Sequence, residues 1–541
     1  MTASVTPDAV RRRLRDGLEI ALVDLREEAP YAQAHPLFAV CVPLSRIELV
    51  VLDLIPRRDV PVVLYDDGEG LVRRALPVLQ RLGYRDVSAL EGGLAGWRES
   101  GGELFQDVNV PSKAFGELVE ALRHTPSLPA AELHRRLQAG EDVVVLDARR
   151  REEYAVMSIP TGQSVPGGEL ALRVRDAAPD PSTIVVVNCA GRTRSIIGAQ
   201  SLINAGIPNP VFALRNGTIG WALAGLSLDY GADRTAMAVS RESLRAARAS
   251  AERLASLAGV RIIDADGLRT LEASVGVTLY RLDVRSPDEH AASHPAGFRN
   301  APGGQLVQAT DEWIGVRHAT IVLTDDDGVR ARMAAHWLAQ MGWRSVHVLE
   351  GWGDLPRAEG IAPPTHPATP TPAAETVDPA GLARLLQSGQ TLLIDLASSR
   401  DFARAHIPGA RFAIRAALAG LSDVALAATL VVTSPDGVLA GFAAAELIQA
   451  GVARPLVLAG GTAAWQRAGR PLSDGLKPHD ALSAANDLYK RPYEGTDNAA
   501  EAMQAYLDWE FGLVAQLDRD GTHGFRVLQL ETSNGDSASE K

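Results

Sequence analysis

The chain has 541 residues, a formal net charge of −12 and a sequence pI of about 5.5. A chain of this length exceeds what one hydrophobic core organises, which predicts roughly three to five domains. The acidic balance argues against a nucleic-acid partner, because the phosphate backbone attracts basic surfaces. The sequence has no apolar run near the ~18 residues of a membrane span and no signal-peptide core at its start. We therefore expect a cytoplasmic protein without a membrane partner.

The chain contains only two cysteines, Cys41 and Cys189. Their wide separation offers neither a disulfide framework nor the paired spacing of a metal site, so we expect a reducing compartment and no bound metal. Cys41 lies in the apolar stretch "LFAVCVPLS" and is interpreted as a small core residue. Cys189 lies in "VVVNCAGRTRSIIGAQ", between a β-branched run and a helical pattern.

The first 105 residues alternate between helical and strand patterns. "PDAVRRRLRDG" predicts a helix with proline in its first turn. "IALVDLRE" then predicts a strand ending at Asp24, and "VPVVLYDDG" predicts a second strand that ends just before Asp66. An alanine- and leucine-rich helical stretch ends at the glycine of "RLGYRDV", as helix C-caps do. A short strand and a glycine turn lead to Trp97.

The same order of elements returns three times along the chain. In the second, third and fourth units, the aspartates that end the first strand are Asp147, Asp283 and Asp395. The residues that follow the second strand in these units are Cys189, Asp325 and Ser434. The two positions are separated by 42, 42, 42 and 39 residues in the four units. Continuous apolar strands alternating with helices predict an α/β fold of four tandem units, each with a mainly parallel sheet covered on both faces.

Composition marks the boundaries between these units. We place the four units at 1–105, 125–232, 259–361 and 376–474, with a short connector at 106–124, a helical linker at 233–258 and a proline-rich, extended linker at 362–375. Residues 475–541 are interpreted as a helical C-terminal extension. Its two expected helices, "HDALSAANDLYKRPY" and "AAEAMQAYLDWEFGLVAQLDRDG", could pack on the last unit, and "TSNGDSASEK" is expected to be a disordered tail.

This ordered set of motifs resembles the rhodanese, or sulfurtransferase, family. The marks are the aspartate of "LDARRREEY", "HIPGA" at 406–410, the cysteine of "NCAGRTRS" and the late "NGTIGW". The resemblance implies that each unit is a five-stranded, doubly wound module and that active modules carry sulfane sulfur as a cysteine persulfide. Asp66, Asp325 and Ser434 stand where the cysteine belongs, so the first, third and fourth modules are expected to be inactive and the second catalytic.

The residues around Cys189 suit sulfur chemistry in their own right. A cysteine at a helix N-terminus meets unpaired backbone N–H groups and the positive end of the helix dipole, and both favour the nucleophilic thiolate. Gly191 permits a tight curl of the backbone, and Arg192 and Arg194 could stabilise the thiolate and receive an oxyanion. Ser195 is expected to cap the helix. The predicted cradle comprises Ala190, Gly191, Arg192, Thr193, Arg194 and Ser195.

Two neighbouring features support this loop. Asp147 and Arg149 lie at a strand C-terminus, where open α/β sheets build their sites. Because all four units keep the aspartate, we interpret Asp147 as a structural residue that binds nearby backbone N–H groups. Arg149 either faces the substrate or pairs with a carboxylate. Gly217 is expected to let the next loop approach Cys189 closely.

The sequence therefore predicts a sulfurtransferase that moves sulfane sulfur from thiosulfate or a related donor to a thiol or cyanide, through a persulfide on Cys189 and without a further cofactor. A protein thiol is a further candidate acceptor. Two alternatives remain open. The chain could be a non-enzymatic sulfur relay or docking scaffold, or a cysteine-dependent phosphatase. The phosphatase signature places five residues between cysteine and arginine, whereas four separate Cys189 from Arg194.

Overall fold

The computed structural model of the protein describes residues 3–235, 238–368, 374–451, 453–491, 494 and 498–529. Within them lie four five-stranded sheets with one strand order: first, fifth, fourth, second, third. Every strand pair within these four sheets is parallel. The predicted fold of four mainly parallel α/β modules is confirmed.

The strands of the first and second sheets, in chain order, are Ser4–Val5, Ala21–Asp24, Ala39–Cys41, Val62–Tyr65 and Val87–Leu90, then Ser127–Leu128, Val143–Asp147, Gln163–Ser164, Ile184–Asn188 and Val211–Leu214. Those of the third and fourth are Arg261–Ile263, Leu279–Asp283, Arg299–Asn300, Thr320–Thr324 and Ser345–Leu349, then Thr376–Val377, Thr391–Asp395, Arg411–Phe412, Thr429–Thr433 and Leu456–Leu458. A small antiparallel pair joins His294–Pro295 to Arg357–Ala358.

The helices cover the sheets. In the first two modules they are Pro7–Asp16, Glu28–Gln33, Ile47–Leu54, Leu71–Arg81 and Gly93–Glu99, then Ala130–Gln138, Arg151–Val156, Leu170–Ala177, Thr193–Ala205 and Gly217–Leu223. In the last two they are Ala265–Glu272, Pro287–Ala292, Gly303–Gln308, Thr310–Trp313 and Arg330–Gln340, then Pro379–Gln387, Ser399–Arg404, Ser422–Leu426, Val438–Gln449 and Gly461–Arg467. Short 3-10 turns lie at Leu44–Arg46, Gly167–Glu169, Arg415–Gly420 and Pro478–Asp480. No helix among the described residues is both long and apolar enough to cross a bilayer.

Two connections between modules are helical. Helix Arg241–Leu257 lies in the stretch interpreted as a helical linker. The stretch 106–124, interpreted only as a connector, contains the 14-residue helix Val110–Arg123. Val110, Ala114 and Phe115 of that helix are buried, because it packs against helix Thr193–Ala205. It is therefore part of the wall behind Cys189 rather than a simple link.

The C-terminal extension departs from the sequence-based prediction in two ways. In the described part of the first expected helix, residues 479–491, the structure has only the turn Pro478–Asp480. Asp487 of this stretch instead accepts a hydrogen bond from the Ser399 N–H at 2.8 Å. The second is split at Gly512 into Ala499–Phe511 and Leu513–Asp520. Both pieces pack on helix Val110–Arg123 rather than on the last module, because Leu513 and Leu517 join the core that contains Phe115. The expected tail, 532–541, lies outside the described residues.

Candidate active site

Cys189 follows the fourth strand of the second sheet, and Asn188 pairs with Asp147 at the end of the second strand. The strand order reverses between these two strands, and ligands of open α/β sheets bind at such a switch point, beyond the strands' carboxyl ends. The Cys189 side chain is only 2% exposed. The fold thus places a buried thiol where doubly wound sheets form their binding crevice.

The Ser195 hydroxyl faces the sulfur rather than capping the helix. The helix begins at Thr193, two residues before Ser195, and no side chain caps it. The Oγ of Ser195 lies 3.2 Å from the Sγ of Cys189 and donates to the Arg192 carbonyl at 2.9 Å. The predicted capping role of Ser195 is therefore wrong. Its position in the first helical turn directs the hydroxyl back toward the loop.

The loop that follows the fifth strand holds the Cys189 backbone closely. The N–H of Thr218 donates to the Cys189 carbonyl at 2.8 Å, and that of Ile219 donates to the Ala190 carbonyl at 2.9 Å. Gly217 has φ +52°, and a Cβ atom there would lie 2.4 Å from the Cys189 carbonyl oxygen. Only glycine accommodates both the left-handed backbone and this close approach.

Asp147 organises the base of the site. Its carboxylate accepts from the N–H, Nε and a terminal nitrogen of Arg149 at 3.1, 2.9 and 2.8 Å, and from Asn188 at 2.8 Å. Arg149 is buried and also donates to the Met157 carbonyl at 2.7 Å. Of the two interpretations of Arg149, the geometry shows the one in which its guanidinium pairs with a carboxylate. Asp147 thereby fixes the strand end that carries Cys189.

The modules without cysteine show what their loops are built to hold. In the third, the Asp325 carboxylate accepts from the N–H groups of Gly328 and Ala331 at 2.9 and 2.8 Å. In the first, Asp66 accepts from Gly68 and Val72 at 3.1 and 3.0 Å. In the fourth, the Ser434 hydroxyl accepts from Gly437 and Ala440 at 3.1 and 3.3 Å. In each of these loops, the side chain at the active-loop position therefore accepts the hydrogen bonds of the loop's own N–H groups.

The same register applies to the Cys189 loop. In each of the other three modules, the side chain at the active-loop position accepts a hydrogen bond from the backbone N–H six residues further along the chain. In the second module, the equivalent N–H belongs to Ser195. Among the described residues, the N–H groups of Arg192 and Ser195 bond to no oxygen atom. Such groups at a helix start attract an anion. These two N–H groups of the Cys189 loop are thus open to an acceptor, and their stabilisation of negative charge on the sulfur stays a prediction.

Arg192 points into a cluster of acidic residues. Its guanidinium makes two 2.8 Å bonds to Glu117, pairs with Glu120 and lies 3.9 Å from the centre of the Phe511 ring. Burial raises the pKa of Glu117. This network joins the active loop to helix Val110–Arg123 and to helix Ala499–Phe511 of the C-terminal extension. Its charge is already neutralised by protein carboxylates, so contact between Arg192 and a substrate anion stays a prediction.

Arg194 is buried and pairs with Glu153 at 2.7 and 3.0 Å. Burial alone would raise the pKa of Glu153, but the charge and hydrogen bonds of Arg194 lower it to about 2. Burial alone would likewise lower the pKa of Arg194, whereas Glu153 and, to a smaller extent, the nearby Cys189 raise it. Arg194 is thus coupled electrostatically to the sulfur.

A small cavity opens beside the active loop. The Cys189 loop forms one wall, and side chains remote in sequence form the others. These are Asp107, Lys113, Ile219, Gln308, Arg491, Tyr506 and Glu510. Sequence reasoning missed this contribution of the C-terminal helix, because a helix's own pattern does not reveal which module it packs on. One local signal exists: Glu510 lies three residues after the buried Leu507 and shares its buried face.

Cys41 lies outside this site. It ends strand Ala39–Cys41, is partly buried, and burial raises the pKa of its thiol well above the ordinary value. Its Sγ lies 3.7 Å from the Arg26 carbonyl oxygen. Cys41 is therefore at the edge of the core of the first module rather than fully within it, and its protonated thiol is a poor nucleophile.

Comparison with known proteins places this geometry in a context. Residues 6–100, 129–224, 268–352 and 378–468 each match the rhodanese-like domain. The crystal structure of a thiosulfate sulfurtransferase from Pseudomonas aeruginosa superimposes with a TM-score of 0.94 at 53% identity, covering 97% of this chain and 100% of that one. Another comparison finds a P. aeruginosa thiosulfate sulfurtransferase, 29% identical over 217 residues, 33% of this chain and 79% of the relative. The Azotobacter vinelandii thiosulfate sulfurtransferase is 28% identical over 201 residues, 33% of this chain and 72% of the relative.

Proposed function

The chain belongs to the rhodanese-like family and is a rhodanese-type transferase, and from that premise we propose that it transfers sulfane sulfur through a persulfide on Cys189. The donor is thiosulfate or a related sulfur-bearing anion, and the acceptor is a thiol or cyanide. Cys189 is the one cysteine of the chain at an active-loop position. The first, third and fourth modules carry no thiol there and take no sulfur.

The first half-reaction loads the cysteine. The Cys189 thiolate attacks the outer sulfur of thiosulfate, a new S–S bond forms, and the bond from that sulfur to the sulfonate sulfur breaks. Sulfite departs with the bonding electron pair, and the persulfide keeps one negative charge. The first-turn N–H groups stabilise that charge, and the Ser195 hydroxyl, 3.2 Å from the sulfur, does so when its hydrogen turns from the Arg192 carbonyl to the sulfur.

The second half-reaction returns the thiolate. Cyanide, or a thiolate acceptor, attacks the outer sulfur of the persulfide, and the S–S bond to Cys189 breaks with its electron pair returning to Sγ. Thiocyanate or an acceptor persulfide is released. Because the two substrates react in separate steps with one enzyme intermediate, ping-pong kinetics are expected.

The observation that carries this proposal is the contrast between filled and open loops. Asp325 satisfies its own loop N–H groups at 2.9 and 2.8 Å, whereas the equivalent groups around Cys189 bond to no oxygen among the described residues. A loop that binds a carboxylate oxygen elsewhere in the chain is suited to a sulfur anion here. Helix Val110–Arg123, which packs on the helix after Cys189, and Gln308 of the third module help to enclose this site.

Mass spectrometry after thiosulfate treatment tests the proposal on the full chain. We expect the peptide with Cys189 to gain one sulfur atom, the gain to disappear with cyanide, and the assay to turn over repeatedly. Cys189→Ser should abolish transfer, and Cys41→Ser is the matched control that should keep it. Transfer by Cys189→Ser would overturn the proposal.

Two other outcomes would favour the alternative functions. If the wild type hydrolyses an aryl phosphate and Cys189→Ser does not, the phosphatase is favoured. If Cys189 is loaded with sulfur but the assay does not turn over, the non-enzymatic relay is favoured.

A further inference from the structure

Glu510 is a buried acid in the wall of the active-site cavity. It lies near the end of helix Ala499–Phe511 and is 2% exposed. Its Oε1 accepts from the Tyr506 hydroxyl at 3.4 Å, while its Oε2 is buried without a hydrogen-bond partner among the described residues. That same Oε2 lies 3.5 Å from the position a Cβ atom would take at Gly191. An unsatisfied carboxyl oxygen therefore faces the loop that carries Cys189.

Two of the cations near Glu510 are engaged by other carboxylates. Lys113 pairs with Asp107 at 2.7 Å, and Arg192 pairs with Glu117 and Glu120. The titratable or charged groups that face this part of the cavity are Asp107, Lys113, Glu117, Cys189, Arg192, Arg194, Arg491 and Tyr506. Burial, with a further contribution from Glu117, raises the pKa of Glu510 to about 8. At neutral pH Glu510 thus carries a proton and can donate a hydrogen bond.

We infer that the neutral carboxyl group of Glu510 donates a hydrogen bond to the sulfonate oxygens of the anionic sulfur donor, and that its ionised form turns that donor away. The inference rests on the proposed function, since it concerns how the donor binds beside Cys189. It makes Glu510 a specificity-determining residue supplied by the C-terminal extension. It also gives Oε2 the partner that the described residues do not supply.

Two physical arguments support this role. A buried polar atom without a partner costs roughly 1–3 kcal/mol, so a bound ligand oxygen that satisfies Oε2 recovers part of that cost. An ionised Glu510 would instead add a negative charge next to a thiolate and a dianionic donor, in a cavity where water screens poorly. The protonated acid serves both the thiolate and the donor.

The pH dependence of the loading step tests the inference on the full chain. The release of sulfite in a single turnover reports the formation of the persulfide. The rate constant of this step, divided by the thiosulfate concentration that gives half-saturation, is measured from about pH 6 to pH 9, a range in which lysine stays charged. In the wild type this ratio should fall about tenfold per pH unit above the pKa of Glu510. Glu510→Gln, a neutral isostere that still donates, should lack the fall. Glu501→Gln, at an exposed position of the same helix, should keep it.

A comparison of donors in the wild type makes the test independent of the variant. A monoanionic alkanethiosulfonate, which releases an alkanesulfinate in place of sulfite, should show a shallower alkaline fall than dianionic thiosulfate, because repulsion scales with donor charge. The inference is overturned if Glu510→Gln retains the full fall, or if both donors fall equally in the wild type. Failure of the wild type to form a persulfide at any pH would instead overturn the proposed function.

Discussion

The carboxylate of Asp325 holds, in the third module, the place that the Sγ of Cys189 holds in the second. Both follow the fourth strand of their sheet and both precede a helix, and in the third module the Ala331 N–H of that helix donates to Asp325 at 2.8 Å. Burial and the neighbouring Asp327 raise the pKa of Asp325 to about 7, whereas the hydrogen bonds from the Ala331 and Gly328 N–H groups act to lower it. The loop N–H groups therefore favour a negatively charged side chain, and we expect the identity of that side chain to decide whether the module transfers sulfur.

This relationship predicts the behaviour of Cys189→Asp. The variant should be inactive, because a carboxylate cannot form a persulfide, yet its thermal midpoint should exceed that of Cys189→Ala. The aspartate can accept from the N–H groups of Arg192 and Ser195, and hydrogen bonds to a charged group contribute about 1.5–3 kcal/mol each. Differential scanning calorimetry of the three proteins measures the effect. A midpoint for Cys189→Asp below that of Cys189→Ala would show that the loop does not favour an anion.

Gly217→Ala tests how closely the neighbouring loop supports Cys189. A Cβ atom at Gly217 would lie 2.4 Å from the Cys189 carbonyl oxygen and 2.6 Å from that of Gly191. The active loop must then shift, and we expect at least a tenfold loss of transfer activity, since misplaced reacting groups cost about that much or more. Gly225→Ala is the control: it has a similar φ of +71° but open space around its Cβ position. Equal losses in both variants would assign the effect to backbone strain alone.

The repeat made the fold and the reactive residue predictable. Four recurrences of a strand-terminal aspartate, with spacings of 42, 42, 42 and 39 residues, identified the modules and placed Cys189 at a strand-to-helix turn. These are local signals, carried by residues near one another in sequence. The partners of Arg192 were not predictable in this way, because Glu117 belongs to a stretch interpreted as a connector.

Long-range packing limited the rest of the prediction. Glu510 is separated from Cys189 by more than 300 residues. Its helix packs on Val110–Arg123, and Leu513 and Leu517 of the following helix enter the core around Phe115. The stretch around Asp487 has a helical composition but forms tertiary hydrogen bonds instead, one of them to the Ser399 N–H. Propensity is a weak guide where tertiary contacts compete with it.

The ion pair between Arg194 and Glu153 predicts an acid-sensitive contribution to stability. The folded-state pKa of Glu153 is lowered to about 2, below the ~4.3 of an unfolded glutamate. Its contribution is therefore present above about pH 4.3 and is lost as the pH falls toward 2. Glu153→Gln should lower the thermal midpoint at neutral pH, and the difference from wild type should shrink between about pH 5 and pH 2. Glu152→Gln, at the exposed neighbouring position, is the control. A pH-independent difference would contradict the assignment.

Glu510 makes the opposite prediction for stability. Its folded-state pKa of about 8 lies above the ~4.3 of the unfolded chain, so the native state binds more protons between these values. Wild-type stability should therefore fall as the pH rises through this window. Glu510→Gln removes the titration, and its thermal midpoint should exceed that of the wild type by an amount that grows from about pH 5 to pH 8 and then levels. Thermal scans of both proteins across this range, without substrate, measure the difference. A constant difference would mean that Glu510 is already ionised in the native protein at neutral pH.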